Sequence, residues 1–352
     1  MVICEKERCY GCYACLNACP KNAIELVEDE LGYVYPKIND NKCIRCNKCK
    51  KVCQRNSSAK CNMSKECFSA YSYNDNTHKS SSSGGAAYEI SKDIIKNGGI
   101  VYGVSSFVDE SKDIAFCRID NVNNLQKIQG SKYVHAYIKN VLSEVIEDLK
   151  QNLKVLFIGT PCQVAGLKAF LDKDYNNLIT IDIVCHGVMA QKLLFDEIGR
   201  KFDYVNFRGN YGFCIVAKKE NKIVYNKNKY ESDYYFSFLN GMRYRERCYS
   251  CEFAQKKRIG DITLGDFWGK DDYKKKNGIS LVLINTKKGK EIFNSIDTLN
   301  KEKEDISIAY LNNAQLVKPT QKSKDYEEYM QNILKKNLKY ALKNMNVKNI
   351  IL

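Results

Sequence analysis

No run of eighteen apolar residues occurs anywhere in this 352-residue chain, which argues against a transmembrane helix. Its first residues, MVICEKERCYGC, put charges and cysteines where a secretory leader needs an unbroken apolar stretch, so a soluble, cytoplasmic protein is expected. No base-stacking motif accompanies the formal net charge of +15. Lysine is spread along the whole chain, so solvated faces explain the charge better than a nucleic-acid groove. Histidine is scarce, tryptophan occurs once, and no acid–base signature stands out, so the catalytic residues stay unassigned.

Cysteine, by contrast, is abundant. Seventeen is an odd number, and tight spacing without an export signal points to metal rather than to a disulfide framework. Cys9, Cys12, Cys15 and Cys19 follow the spacing of the bacterial ferredoxin run, with Pro20 after the last, and Cys43, Cys46, Cys49 and Cys53 repeat it. In such a run three thiolates wrap one [4Fe-4S] cubane and the fourth crosses to the other. The pattern therefore predicts cluster one on Cys9, Cys12, Cys15 and Cys53, and cluster two on Cys43, Cys46, Cys49 and Cys19. Zinc modules also use C-x2-C pairs, but they do not repeat four cysteines at this spacing twice. Gln54 stands where proline usually follows the last cysteine, which is expected to weaken that turn without removing a ligand.

The length predicts a small domain plus a larger one. Residues 23–27 and 32–35 read as two short strands joined by the acidic turn 28–30, and 56–66 as a polar linker. Small residues at 80–87 open an apolar-periodic stretch at 88–95; they suit an anion or cofactor cradle, or a plain loop before a helix. A helix over 141–149, a strand at 155–158, a helix over 163–171 and a strand at 178–184 make a β-α-β unit. Its parallel strands end just before Cys162 and Cys185, at the edge where open α/β sheets hold ligands. Adjacent strands lie only about 5 Å apart, so the two thiolates can share one cubane with Cys248 and Cys251, which follow the basic run Arg243-Tyr244-Arg245-Glu246-Arg247. Spacing alone leaves other readings open: buried core thiols, a Cys248/Cys251 redox pair, or a zinc site.

The ordered motifs Ser83-Gly84-Gly85, Gly130-Ser131-Lys132-Tyr133, Gly159-Thr160-Pro161-Cys162-Gln163, Cys185-His186-Gly187, Phe207-Arg208-Gly209, Cys248-x2-Cys251 and Asp261-Ile262-Thr263-Leu264-Gly265-Asp266-Phe267-Trp268-Gly269 resemble the coenzyme F-420 hydrogenase/dehydrogenase beta-subunit family. They are most similar to bacterial members with a fused N-terminal two-cluster ferredoxin domain, over residues 1–285. The resemblance implies a third [4Fe-4S] cluster on Cys162, Cys185, Cys248 and Cys251. It also implies FAD near Ser83, Gly84, Gly85, Gly130, Ser131, Lys132, Tyr133, Gly159 and Thr160. Lys132 is then either a partner for the flavin or a surface residue, and Trp268 a pocket floor or a core aromatic. Arg208 is either an anion-binding fork or a structural ion-pair residue, and His186 a proton shuttle or a packed histidine. Cys4, Cys61, Cys67, Cys117 and Cys214 receive no role.

The expected fold is an α+β ferredoxin-like N-terminal domain (1–58) and a linker (59–66), then a larger α/β domain with a partly parallel sheet. That domain divides into the first part of a flavin-binding region (67–150) and a cluster and flavin region (151–320), before a helical tail (321–352). A cubane passes one electron whereas hydride partners trade two, and a flavin does both. The expected function is thus an iron–sulfur flavoprotein oxidoreductase. It would take electrons from a soluble ferredoxin or another redox protein through the clusters to FAD, and on to a small-molecule hydride acceptor, coenzyme F-420 or another compound. Two alternatives stand beside it: an electron-transfer subunit of a larger complex with no substrate site, and a zinc- and cluster-stabilised binding protein. Three cubanes with their thiolates carry about −2 each and would lower the net charge to about +9, still suited to an acidic partner. Protein purified without oxygen should be brown and carry about twelve irons, eight of them in the N-terminal motifs, which metal analysis checks.

Overall fold

The computed structural model describes residues 2–56, 60–209, 212–269 and 278–323, together with 326, 327 and 331. The first segment holds α1 (Ala14–Asn17), β1 (Ile24–Glu28), β2 (Val34–Ile38) and α2 (Lys48–Lys51). β1 and β2 form an antiparallel hairpin with Ile24 opposite Ile38. The sequence repeat extends to the backbone. Gly11 (φ 67) and Tyr13 (φ 60) stand two and four residues after Cys9, and Arg45 (φ 56) and Asn47 (φ 59) occupy the same places after Cys43. These left-handed residues curl the chain so that its N–H groups turn inward. A tyrosine so placed costs about 1–2 kcal/mol, which the local site must offset.

Beyond it, β3 (Asn62–Met63) leads to β4 (Glu66–Ser72), the short α3 (Asp75–Ser80) and α4 (Ala86–Lys96). Then come β5 (Ile100–Val104), β6 (Phe116–Ile119), α5 (Val141–Lys150), β7 (Val155–Gly159), α6 (Pro161–Leu171) and β8 (Leu178–Ile183). The chain leaves the sheet for an antiparallel three-stranded unit, β9 (Tyr204–Gly209), β10 (Gly212–Lys219) and β11 (Lys222–Asn228). It pairs β12 (Lys257–Arg258) with β3, and returns as β13 (Ile262–Asp266), β14 (Ser280–Ile284) and β15 (Leu299–Glu304).

The large mixed sheet runs β15-β4-β14-β13-β8-β7-β5-β6. β5, β7, β8 and β13 pair in parallel. β14 lies antiparallel between β13 and β4, so β4 points the same way as those four. Alternation along the strands divides the core between two faces. Val101, Leu156 and Ile179 face Ile90 and Ile94 of α4. Tyr102, Phe157 and Leu178 face Leu142 and Val145 of α5 and Val164 and Leu167 of α6. The β-α-β unit thus stands as its apolar runs predict.

Two expected boundaries change. The described part of the expected linker, 60–66, is not patternless: Asn62–Met63 pairs with Lys257–Arg258, and Lys65 N–H donates to the Ile284 carbonyl at 2.7 Å. No break falls at 150 either, because β4, β5 and β6 share one sheet with β7 and β8, and parallel strands need each other's edges for their hydrogen bonds. The helical tail expected over 321–352 lies outside the described residues except for 321–323, 326, 327 and 331. All seventeen cysteines are free, and among the described residues no helix is long and apolar enough to cross a membrane.

Asp182, near the end of β8, is fully buried with Arg258. It takes 2.7 Å from the Arg258 guanidinium and accepts the Ile259 and Gly260 N–H groups at 3.1 and 2.8 Å. Breaking such a pair strands a charge in the core. Asp182→Asn should therefore cost about 3–5 kcal/mol and lower the denaturation midpoint, as measured by circular dichroism.

Candidate functional site

The N-terminal thiols collect around two hollows. Cys9, Cys12, Cys15 and Cys53 line one, with Cys4, Tyr13, Val34 and Gln54. Cys19, Cys43, Cys46 and Cys49 line the other, with Pro20, Ile24 and Ile38. Backbone N–H groups point at sulfur there, Ala23 to Cys19 Sγ at 3.2 Å and Arg45 to Cys43 Sγ at 3.4 Å. Four thiols, an apolar lining and inward amides are the donor set that a cubane takes. Among the described residues no three Cys, His or carboxylate side chains converge on a point where a single ion would sit. The second hollow opens to the surface: Cys46 is exposed, as are Lys21, Lys42, Arg45 and Lys48.

A second set of thiols meets at the carboxyl edge of the sheet. β7 and β8 are in register to Gly159 opposite Asp182, and Cys162 and Cys185 each follow three residues later. The motif before Cys162 is a helix start. Thr160 caps α6, Pro161 fills its first position, and the Gln163 side chain accepts the Thr160 N–H at 2.9 Å. Cys162 therefore sits in the first turn of α6, at its positive end, with Thr160 Oγ1 3.2 Å from its sulfur. Cys248 and Cys251 come from the turn Glu246–Ser250 and the residue after it. Burial first, and then the neighbouring thiols, raise the pKa of Cys162, of Cys248 and of Cys185, the last to about 12. Cys251 is among the neighbours that raise the other three, so the four thiols are close together, and they suit a cationic iron core that takes them as thiolates.

Side chains that sequence reasoning undervalued link the two regions. Gln54, read as a weakened turn, is buried and donates to the Cys162 carbonyl at 2.9 Å. The loop ahead of α1 lies so close to α6 that a Cβ on Gly166 would meet the Cys12 Cβ at 2.6 Å. Arg243, Arg245 and Arg247 are all buried, where the basic run had been read only as charge. Alternation of arginine in that run is the signal that was available. Cys4 carried no spacing signal, yet it lines the first hollow.

The remaining motifs also meet at the carboxyl edge, over β4, β14 and β13. Gly84 packs onto backbone, since a Cβ there would lie 2.0 Å from the Ala70 carbonyl oxygen. Ser131 N–H donates to Ser82 Oγ at 2.7 Å, joining the loop around Ser83-Gly84-Gly85 to the one around Gly130. Arg208 binds Asp266 and the Ser82 carbonyl at 2.6 Å each, and the Tyr133 hydroxyl at 2.8 Å. Its guanidinium is a strut between loops. Lys132 points inward: its ammonium caps the carbonyls of Ile128, Gln129 and Gly130, and burial lowers its pKa to about 7. Trp268 is half-buried, and His186 is exposed rather than packed. Gly159 and Thr160 stand apart from this group, with the thiols at the end of β7. β4 and β7 are four strand positions apart, roughly 19 Å along the edge.

Among known protein families, that of the C terminus of the coenzyme F420 hydrogenase/dehydrogenase beta subunit matches residues 152–307, and the 4Fe-4S dicluster domain matches residues 8–57. The chain is 25% identical over 345 residues to a coenzyme F420-dependent sulfite reductase of Methanocaldococcus jannaschii, covering 92% of this chain and 51% of that one, so it spans about half of that relative's length. It is also similar to a chain in a solved F420-reducing [NiFe] hydrogenase complex of Methanosarcina barkeri, at 17% identity and a TM-score of 0.48, over 80% of this chain and 91% of that one.

Changing Cys162 and Cys185 to serine should remove about four irons and leave about eight, read by iron analysis and electron paramagnetic resonance. Gly166→Ala should push Cys12 off α6, lowering the iron held at the first hollow and slowing electron transfer between the two regions, read by iron analysis and stopped-flow absorbance.

Proposed function

We propose that this chain, which belongs to the coenzyme F420 hydrogenase/dehydrogenase beta-subunit family and carries a 4Fe-4S dicluster domain ahead of the family's C-terminal region, is a three-cluster flavoprotein oxidoreductase. The N-terminal segment, with its one-turn helices and hairpin, is a ferredoxin-like inlet. Cys9, Cys12, Cys15 and Cys53 hold cluster one; Cys43, Cys46, Cys49 and Cys19 hold cluster two; Cys162, Cys185, Cys248 and Cys251 hold the third. The observation that carries this reading is the spatial grouping of twelve cysteines into three sets of four. The sets follow an order: an exposed hollow, then one walled in against α6, then the thiols at the end of β7 and β8.

FAD is the proposed cofactor of the carboxyl edge. Gly85 and Gly130, both at positive φ, turn the loops beside the N-terminus of α4, Gly84 seats that loop on the Ala70 backbone, and the edge runs on to Gly159 and Thr160. When bound, it supplies the change from single electrons to a hydride for a small organic acceptor, with coenzyme F-420 the candidate that the relatives' names suggest. The chain's own part is to hold the loops in place. Arg208 ties Ser82, Tyr133 and Asp266 together, and Lys132 closes the 128–130 turn from within.

Because both cations are already partnered by protein, they offer little to an anionic substrate. This favours, as a second reading, an electron-transfer subunit whose acceptor site lies on another chain. Turnover by the isolated chain with a chemical electron donor and coenzyme F-420 separates the two readings. Flavin released by heat should be identified as FAD by chromatography, and its absence after anaerobic reconstitution would reduce the protein to a cluster carrier.

The partner is an acidic ferredoxin or a similar redox protein, meeting the exposed cations around Cys46. Steered association weakens with salt. Reversing Lys21, Lys42 and Lys48 to Glu should slow reduction by ferredoxin about tenfold at low salt and flatten its salt dependence, with reduction by dithionite unchanged. Equal rates for the variant and the native chain would place the inlet elsewhere.

A further inference from the structure

One residue between the cluster regions carries more charge than its surroundings balance. Arg245 is 1% exposed, and among the described residues no carboxylate reaches its guanidinium. Nε donates to the Cys9 carbonyl at 2.7 Å, and Nη2 to the Val34 carbonyl at 3.1 Å and to Cys9 Sγ at 3.5 Å. Nη1 is buried with no partner. A Cβ on Gly11, in the loop between Cys9 and Cys12, would come within 3.1 Å of it, so that glycine keeps the approach open. The Tyr35 ring lies 4.2 Å from the guanidinium carbon and covers it. On the other side, the Arg245 carbonyl accepts the Cys248 N–H at 2.8 Å and so sets the turn that carries that thiol.

A buried cation without an anion is strongly disfavoured, and carbonyls alone do not neutralise it. The anion this geometry awaits is an iron–sulfur cluster with its thiolates, which carries about −2 before it accepts an electron. We infer that Arg245 is the counter-charge of cluster one, a positioning residue that raises its reduction potential above that of the same cluster without the cation. The sign follows from charge. One-electron reduction makes the cluster more negative, so a fixed cation beside it favours the reduced form. The fork shape matters as well. Arginine reaches two carbonyls and the Cys9 sulfur at once while its backbone serves Cys248, whereas lysine supplies only a point charge.

This inference rests on the functional reading above, and the experiment keeps the two apart. Full-length protein reconstituted without oxygen is titrated potentiometrically with electron paramagnetic resonance as the readout, for the native chain and for Arg245→Lys and Arg245→Gln. Native protein without cluster signals would overturn the functional reading and this inference with it. With signals present, Arg245→Gln should move the cluster-one midpoint to a more negative potential. The shift expected is about a tenfold fall in the reduced-to-oxidised ratio at a fixed donor potential, roughly 59 mV for one electron. Cluster two, lined by other residues, should stay put, and Arg245→Lys should keep most of the native value. Loss of cluster one in the glutamine variant with retention in the lysine variant also supports the counter-charge. An unchanged midpoint in the glutamine variant, equal shifts in both clusters, equal effects of the two variants, or loss of cluster one in both would overturn it and leave Arg245 a structural tie.

Discussion

Two parallel strands held in register end at the same edge, and the residues that follow them must meet there. β7 and β8 stay paired to Gly159 and Asp182, so Cys162 and Cys185 arrive as neighbours although the rest of α6 and all of β8 lie between them along the chain. Asp182 extends this constraint to a third segment. Its carboxylate gathers the Arg258 guanidinium and the amides of Ile259 and Gly260, which draws in the chain that has just left Cys251. The thiol set at the edge depends on hydrogen bonding beneath it more than on any contact between sulfurs.

The N-terminal segment is joined to this edge by interlocking rather than by a flat contact. Tyr33 reaches across to the carbonyls of Val188 and Arg243, and Arg245 reaches back to Cys9 and Val34. Gly166 and Gln54 close the gap on the side of α6. Each of these buried polar links is satisfied only when the two regions are together. The N-terminal segment and the sheet are therefore held together as one packed unit, although their sequences read as separate modules.

What was legible followed from period and spacing. The cysteine runs, the hairpin and the β-α-β unit each repeat a short rule, and the sheet is mixed because β14 enters antiparallel between two strands of like direction. What escaped depended on tertiary partners. Gln54 looks like a missing proline until its amide meets Cys162, and Asn62–Met63 looks like linker until Lys257–Arg258 lies beside it. Gly187, part of a short motif, owes its place to Tyr244, whose ring would lie 2.2 Å from a Cβ there. Arg208 reads either as an anion-binding fork or as a structural ion-pair residue, and its bond to Asp266 is the second; Lys132 reads as a flavin partner or a surface residue, and its ammonium instead turns inward, because a buried cation binds the nearest carbonyls.

The contrast between the two N-terminal hollows bears on how the protein is made and kept. One is roofed by α6, Gln54 and Arg245, and the other opens beside an exposed cysteine. On the proposed assignment, iron and sulfide for the inner cofactor must be delivered before the first fifty residues settle onto the sheet, which ties maturation to the final step of folding. The outer one remains within reach of a scaffold protein after folding is complete. Oxidative damage would then be repairable at the surface and terminal at the centre, so that the exposed cofactor serves as the replaceable part of the chain.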